Sequence, residues 1–430
     1  MGAVIPSPYG DSGAADKSLA YEIRVILLLG LSFGFAYYDR MMMAFLGPFV
    51  VKDFHLNNFQ VGALGAALSL TWALGAYVFG RWSDRSGRRK PFIVAALVIF
   101  SLCSVFSGLS TGFWSLLFSR MLMGAVEGPF LPICLAIIVF ASAQRRQGLN
   151  AGIVQNVFGS LLGTAVAPLT AVAIAQAWGW KASFYTAAIP GLILAFLVWR
   201  FIAEPPPPPA PVAGRAEEKG IGAMLRERNM LLCSLISCLL VGAITLGSIF
   251  LPLYLTQIRG FAPESMAGIM ALLGLCPPIG GVVVTWISDR IGRRPPMILF
   301  SALVALCPFA ALYYVGAPAI LSGLMFVGWI GLGVFPLFMG VVPAETLGPR
   351  HAATAMGLVI AAGELSGGVV APLVAGRIAD LYGLSAPLLI AGVMALFAGG
   401  LATMLIETNP RKKRRPDSEE PQAPPLEACS

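Results

Sequence analysis

The chain has 430 residues, of which 57% are hydrophobic and only 12% are charged, and its mean hydropathy is +0.80. Soluble domains carry about a quarter charged residues, so this composition excludes a large soluble core. The net charge of +8 follows a topological pattern and does not point to nucleic acid. Apolar stretches of about 18 or more residues recur along the chain and indicate membrane helices.

The apolar segments predict an all-α membrane protein with twelve transmembrane helices in two six-helix bundles. The predicted spans, in chain order, are 23–51, 61–81, 91–110, 113–140, 149–173, 183–203, 229–256, 265–288, 297–315, 318–343, 352–377 and 385–406. The chain is thus divided into an N-terminal tail (1–22), a first bundle (23–203), a Pro-rich linker (204–228), a second bundle (229–406) and a basic tail (407–430). The five consecutive prolines of the linker favour an extended, helix-free connection.

Lys and Arg are concentrated in alternate connections between the predicted spans. The segments RWSDRSGRRK, AQRRQG, SDRIGRR and RKKRR fall on one side, whereas the other side has little more than Lys52, Lys181 and Arg259. An excess of Lys and Arg marks the cytoplasmic side of a membrane. We therefore expect both termini to be cytoplasmic in a multi-pass protein of the bacterial inner membrane.

The two halves of the sequence repeat each other. SDRSGRR at 83–89 matches SDRIGRR at 288–294, and GSLLGTAVAPL at 159–169 matches GELSGGVVAPL at 363–373. Single residues agree at an offset of 204 as well, since Pro48, Gly124 and Pro132 correspond to prolines and a glycine in the second half. Two parallel six-helix repeats are typical of major-facilitator transporters.

GRWSDRSGRRK, between the second and third spans, resembles the characteristic loop of the major facilitator superfamily, and the likeness covers roughly residues 23–406. The resemblance implies a cytoplasmic gate in which acids and arginines latch the two halves. The residues that match in the two copies are Asp84, Arg85, Arg88, Asp289, Arg290 and Arg293. A purely topological role for these arginines stays open, and the second copy has Thr285 in place of Gly80.

Five ionisable residues lie deep in predicted spans: Asp39, Arg40, Arg120, Glu127 and Glu364. A charge near the bilayer centre costs about 2.5–3.5 kcal/mol, so such residues must pair or face water. Arg120 and Glu127 are seven residues apart and share one helical face. In the superfamily that the loop resembles, the first and fourth helices line the central cavity, and this resemblance implies that the first four residues form one cluster facing that water-filled cavity. We expect Arg120 to pair with Glu127. At the offset of 204 they become Ala243, Ile244, Leu324 and Gly331, so the charges are not part of the repeat.

YYDR in the first span and SRMLMGAVEGPFLP in the fourth resemble the anion:cation symporter family, which includes sugar-acid/proton symporters. The resemblance implies import of an organic anion with protons. Asp39 and Glu127 are then the proton carriers with Arg120 as partner, and Arg40 grips the substrate carboxylate. Further candidates for substrate contacts are Gln155, Asn156, Tyr38 and Glu364. For these the alternative is a structural or lipid-facing role.

Other functions stay open at this point. Spinster-type lipid transporters share the Asp-Arg pair and the Arg/Glu spacing, and sodium coupling is an alternative to proton coupling. A drug exporter is disfavoured because Ala167 precedes Pro168 where exporters carry Gly-Pro, and a receptor would leave the buried charges unexplained. The seven cysteines lack metal spacing. We expect no enzyme activity, cofactor or metal, and partners limited to a small organic anion, protons and lipid, with the monomer as the functional unit.

Overall fold

The computed structural model describes residues 19–143, 146–205, 221–348 and 351–409, except the side chains of Asp84, Ile221 and Ala353. The predicted N-terminal tail, Pro-rich linker and basic tail lie mostly outside these residues. The predicted domain boundaries therefore remain predictions.

Among the described residues, twelve helices are long and apolar enough to cross a membrane, as the sequence predicts. They are α1 (Leu19–Phe54), α2 (Asn58–Ser86), α3 (Lys90–Gly108), α4 (Phe113–Ala141), α5 (Gln147–Trp178), α6 (Trp180–Phe201), α7 (Arg228–Gln257), α8 (Pro263–Ile291), α9 (Arg294–Tyr313), α10 (Pro318–Leu347), α11 (Thr354–Tyr382) and α12 (Ser385–Ala402). A short helix, Ile221–Arg226, precedes α7. The fold class predicted from the sequence is confirmed, and helix ends differ from the predicted ones by a few residues.

Glycine turns and π-helical segments occur at matching positions in the two halves. Gly179 separates α5 from α6 and Gly383 separates α11 from α12, with φ angles of 85° and 86° that favour glycine. The matching stretches Ile153–Val166 of α5 and Glu364–Val370 of α11 are both π-helical. The sequence repeat at 159–169 and 363–373 is thus also a structural repeat.

By internal contacts the chain forms two units, Met1–Ala213 with Pro252–Leu275, and Gly214–Leu251 with Cys276–Ser430. Within the first unit, the beginning of α8 is bonded to α5. Thr164 Oγ1 donates to the Gly274 carbonyl at 2.9 Å, and Gln176 Nε2 donates to Glu264 Oε1 at 2.5 Å.

Glycines allow α2 and α4 to approach closely in the first unit. A Cβ atom on Gly75 of α2 would lie 2.0 Å from the Ala125 carbonyl oxygen, and one on Gly128 of α4 would lie 2.1 Å from the Trp72 carbonyl oxygen. Small residues at such contacts are characteristic of helix packing in membranes. This packing fixes α4, which carries Arg120 and Glu127, against α2.

We predict that Gly75→Ala destabilises the protein, because the added methyl group must displace the backbone of α4, at a cost of about 1–3 kcal/mol. Gly80→Ala is the matched control on the same helix, since nothing lies within 4 Å of a Cβ atom there. Thermal unfolding in detergent should show a lower midpoint for Gly75→Ala and no loss for Gly80→Ala. Equal midpoints for the two variants would contradict the packing described.

Candidate functional site

Asp39, near the middle of α1, is completely buried between helices of the first unit. Ser104 of α3 donates a hydrogen bond to Asp39 Oδ1 at 3.1 Å. Within the described residues Asp39 Oδ2 has no hydrogen-bond partner. The expectation that Asp39 faces a water-filled cavity is therefore not met, because its side chain lies against α3 inside the unit.

Arg120 of α4 is equally buried, at 1% exposure. Its Nη2 atom donates to Ser107 Oγ at 2.8 Å, and its guanidinium carbon lies 5.2 Å from the centre of the Phe184 ring. A cation over an aromatic face is stabilised by the ring quadrupole. The Nε and Nη1 atoms find no acceptor in the part of the chain that the structure describes.

The expected pair of Arg120 with Glu127 is not formed. Glu127 is 7% exposed, and its Oε1 atom has no partner among the described residues. Its electrostatic neighbours are Arg40 first, then Asp39 and Arg120. Arg40 is half-buried, with its guanidinium carbon 5.4 Å from the centre of the Trp72 ring. The four charges therefore form a cluster, as expected, but hydroxyl groups and aromatic rings make the close contacts.

The site residues predicted from the sequence do not include Ser104, Ser107 and Phe184. The signal for the serines was present, because Ser101, Ser104 and Ser107 recur at every third residue in the apolar part of α3. Residues three apart are neighbours on a helix surface, so Ser104 and Ser107 share a face. Nothing in the sequence alone pairs that face with Asp39 and Arg120.

The other candidates for substrate contacts belong to three different helices, α1, α5 and α11. Tyr38 is buried and its hydroxyl is hydrogen-bonded to Thr170 Oγ1 at 2.8 Å. Gln155 and Asn156 are exposed on the π-helical part of α5. Glu364 is half-buried and begins the π-helical stretch of α11, in the second unit. The structure thus brings together the first-unit charges, but it does not bring Tyr38 into contact with them through its hydroxyl.

In the second copy of the predicted gate, Arg293 forms ion pairs with Asp289 at 2.5 Å and with Glu345 of α10 at 2.8 Å. Arg290 lies over the Trp286 ring at 3.7 Å. These contacts are all within the second unit. In the first copy Arg85 and Arg88 are exposed, and the side chain of Asp84 lies outside the described structure.

Two acids that the sequence analysis passed over support the loops of both gate copies. Glu204 accepts hydrogen bonds from the backbone N–H groups of Arg89 and Lys90, where α3 begins. Glu407 accepts equivalent bonds from Arg293 and Arg294, where α9 begins. Burial raises the pKa of Glu407, but these backbone donors outweigh it and hold the pKa below its ordinary value.

A third missed contact ties the start of α1 to the start of α5. Glu22 is buried and accepts from Arg146 Nε at 3.1 Å and Nη2 at 2.5 Å, and from Asn150 Nδ2 at 2.6 Å. Such bidentate, charge-assisted pairs are among the stronger polar contacts in proteins. Among the described residues no cluster of His, Cys, Asp and Glu could hold a metal ion.

A sequence model of the Major Facilitator Superfamily matches residues 29–369 and 279–428. The chain therefore belongs to this superfamily and is a membrane transporter rather than an enzyme.

Known transporters are similar in sequence to this chain along most of their length. The chain is 28% identical to the hexuronate transporter of Bacillus subtilis (strain 168) over 397 residues, which cover 88% of this chain and 93% of the relative. It is 26% identical to the 3-(3-hydroxy-phenyl)propionate transporter of Escherichia coli (strain K12) over 398 residues, covering 89% and 94%. Among solved structures, a bacterial homolog of the human lysosomal transporter Spinster in an inward-facing, unoccupied conformation gives a TM-score of 0.78 at 19% identity, covering 90% and 97%.

Proposed function

We propose that the protein imports a small organic anion together with one or more protons by alternating access. The observation that carries this proposal is the cluster of four charges, three of them buried, in one half of a repeated fold: Asp39, Arg40, Arg120 and Glu127. The repeat retains the packing prolines and glycines but not these charges. Hexuronate and 3-(3-hydroxyphenyl)propionate, which the two relatives are named for transporting, are both carboxylates.

The cluster supports distinct roles for its members. Asp39 and Glu127 each have a buried oxygen without a hydrogen-bond partner in the described structure, so neither is locked in an ion pair. They are the proposed proton carriers, with Arg120 as their partner. Arg40 is half-buried and is the proposed ligand of the substrate carboxylate, because a guanidinium group binds a carboxylate with two parallel hydrogen bonds.

Residues outside the cluster have supporting roles in this proposal. Gln155 and Asn156 are exposed and available to bind substrate hydroxyl groups, and Glu364 is a further acid whose counterpart in the first half is Ser160. The Tyr38 hydroxyl is already hydrogen-bonded to Thr170, and Tyr38 positions α1 against α5. The gate residues on the two cytoplasmic loops control access from the cell interior. We place both termini in the cytoplasm of a bacterial cell, the protein in its inner membrane, and transport in the monomer.

Proton coupling explains how such a carrier accumulates its substrate. Each net positive charge that moves inward gains about 2.3 kcal/mol per 100 mV of membrane potential. The likeness to the Spinster homolog shows the fold alone at 19% identity, so it does not favour lipid as the substrate.

The proposal is tested by uptake into proteoliposomes of labelled glucuronate, galacturonate, 3-(3-hydroxyphenyl)propionate and the neutral sugar glucose. We expect at least one acid to accumulate when an inward proton gradient is applied, and glucose not to accumulate. An inward sodium gradient and protein-free liposomes are the controls. Equal accumulation with no proton gradient, or of glucose, would contradict the proposal.

We predict that Arg40→Lys weakens binding of the transported acid roughly tenfold or more, because lysine keeps the charge but loses the planar fork. Arg24→Lys is the matched control, since Arg24 also lies on α1 beside an aromatic ring, Phe201, at 5.8 Å. Binding is measured by calorimetry on purified protein. Unchanged affinity in Arg40→Lys would remove Arg40 from the substrate site.

We predict that Glu127→Gln binds the acid at higher pH than the parent does but cannot concentrate it. Substrate binding that needs a protonated carboxyl weakens as pH rises through the titration of that group, and a fixed amide removes the dependence. The measurement is affinity against pH, with Glu264→Gln, an acid on α8, as the control. Identical pH profiles for parent and Glu127→Gln, together with full accumulation, would leave Glu127 without a proton-carrying role.

A further inference from the structure

Helix α3 connects the buried acid and the buried base of the first unit without contributing a charge of its own. Ser104 bonds to Asp39 at 3.1 Å, and Ser107, one turn later, bonds to Arg120 at 2.8 Å. Both serines are completely buried. Asp39 and Arg120 interact electrostatically, yet neither hydrogen-bonds the other among the described residues.

We propose that Ser104 and Ser107 are positioning residues that hold Asp39 and Arg120 apart, so that Asp39 remains free to bind and release a proton. This inference deepens the proposed function and rests on it.

Ser104 suits both protonation states of Asp39. Its Oγ atom lies 3.1 Å from Asp39 Oδ1 and 2.9 Å from the Phe184 carbonyl oxygen. When Asp39 is charged, the single hydroxyl proton is donated to the carboxylate. When Asp39 is neutral, it donates its own proton to Ser104 Oγ, and Ser104 donates to the carbonyl of Phe184. A hydroxyl group is both donor and acceptor, so neither state leaves this contact unsatisfied.

Ser107 directs the guanidinium group of Arg120 towards α3. Ser107 itself is fixed, because its Oγ atom lies 2.6 Å from Ser119 Oγ and donates to the Cys103 carbonyl at 2.9 Å. The Phe184 ring covers another side of the guanidinium group. Without Ser107, Arg120 loses its one hydrogen bond in the described structure, and two buried carboxyl oxygens without a partner, Asp39 Oδ2 and Glu127 Oε1, are open to it. Arg120 is the leading charge acting on Asp39 but only a minor one for Glu127, so Asp39 is the acceptor expected to take the guanidinium group.

The second unit shows what the same place contains when the charges are absent. At the offset of 204, Asp39 and Arg120 become Ala243 and Leu324, whereas Cys103 is retained as Cys307.

Ser104 and Ser107 become Pro308 and Ala311. A small cavity of mainly apolar lining lies there, bordered by Ala243, Cys307 and Pro308 among others. Ser101 is also replaced in the second half, by Ala305. Ser104 and Ser107 therefore differ from Ser101 in their hydrogen bonds to Asp39 and Arg120, and not in being replaced.

The groups that can act electrostatically on Asp39 come from three helices. Arg120 and Glu127 belong to α4, Cys103 belongs to α3, and Tyr38 is its neighbour on α1. Arg40 follows Asp39 on α1, but its electrostatic effect falls on Glu127, so among the described residues Arg120 is the cation that acts on Asp39. The distance of Arg120 from Asp39 is therefore the variable that the serines control.

The test is an infrared titration of the reconstituted protein without substrate. The carbonyl band of neutral carboxylic acids reports protonation, and its loss in Asp39→Asn assigns the contribution of Asp39. In Ser107→Ala we expect the midpoint of this band to move to lower pH by about one unit, because Arg120 then pairs with the carboxylate. Ser107→Thr, which keeps the hydroxyl group, should retain the parent midpoint. So should Ser101→Ala, whose hydroxyl bonds to the Leu97 carbonyl.

A double-mutant cycle separates positioning from general disturbance of α3. If Ser107 acts through Arg120, Ser107→Ala should cause no further shift in an Arg120→Leu background. A parental midpoint in Ser107→Ala, or the same shift in both backgrounds, would overturn the proposal. The titration contains no substrate, so its result does not depend on transport. If the parent protein showed no proton-driven uptake, the proposed function would be refuted, but the result of this titration would stand.

Discussion

The structure depends on one electrostatic constraint, which is that an acid and a base are buried within one helical unit without pairing with each other. Taking an ion out of water costs several kcal/mol even after relaxation. Asp39 and Arg120 recover part of this cost through the hydroxyl groups of α3, the Phe184 ring and their mutual field. The close glycine packing of α2 on α4 keeps the base at its place. Such an arrangement is costly for stability but leaves an acid that can change its protonation state.

The repeat distinguishes the helical frame from the charges buried in it. Elements that build the helical frame occur twice: the turns at Gly179 and Gly383, the caps at Glu204 and Glu407, and the π-helical parts of α5 and α11. The charges at Asp39 and Arg120 occur once, and their counterparts are Ala243 and Leu324. A residue needed to hold six helices together is expected in both halves, whereas the proposed proton site would be needed only once.

Much of this architecture could be predicted from the sequence, because hydropathy, charge placement and the internal offset of 204 are all properties of the chain itself. Helical spacing placed Arg120 and Glu127 on one face, and the resemblance to the superfamily implied that Asp39 lies near them. The hydrogen-bond partners of these residues could not be predicted, since Arg120 bonds to Ser107 rather than to Glu127. Which face of α3 meets α4 is decided by packing across helices, and that information is not in the spacing along one helix. The same reason explains why Asp39 lies against Ser104 and not in the expected cavity.

The central claim is that Asp39 couples proton entry to substrate entry. It is tested most directly by a pH-sensitive dye trapped in proteoliposomes, read when the transported acid is added outside. The account predicts that the parent acidifies the interior beyond protein-free liposomes, whereas Asp39→Asn does not, although it still exchanges labelled for unlabelled acid. Acidification by Asp39→Asn equal to that of the parent would contradict it.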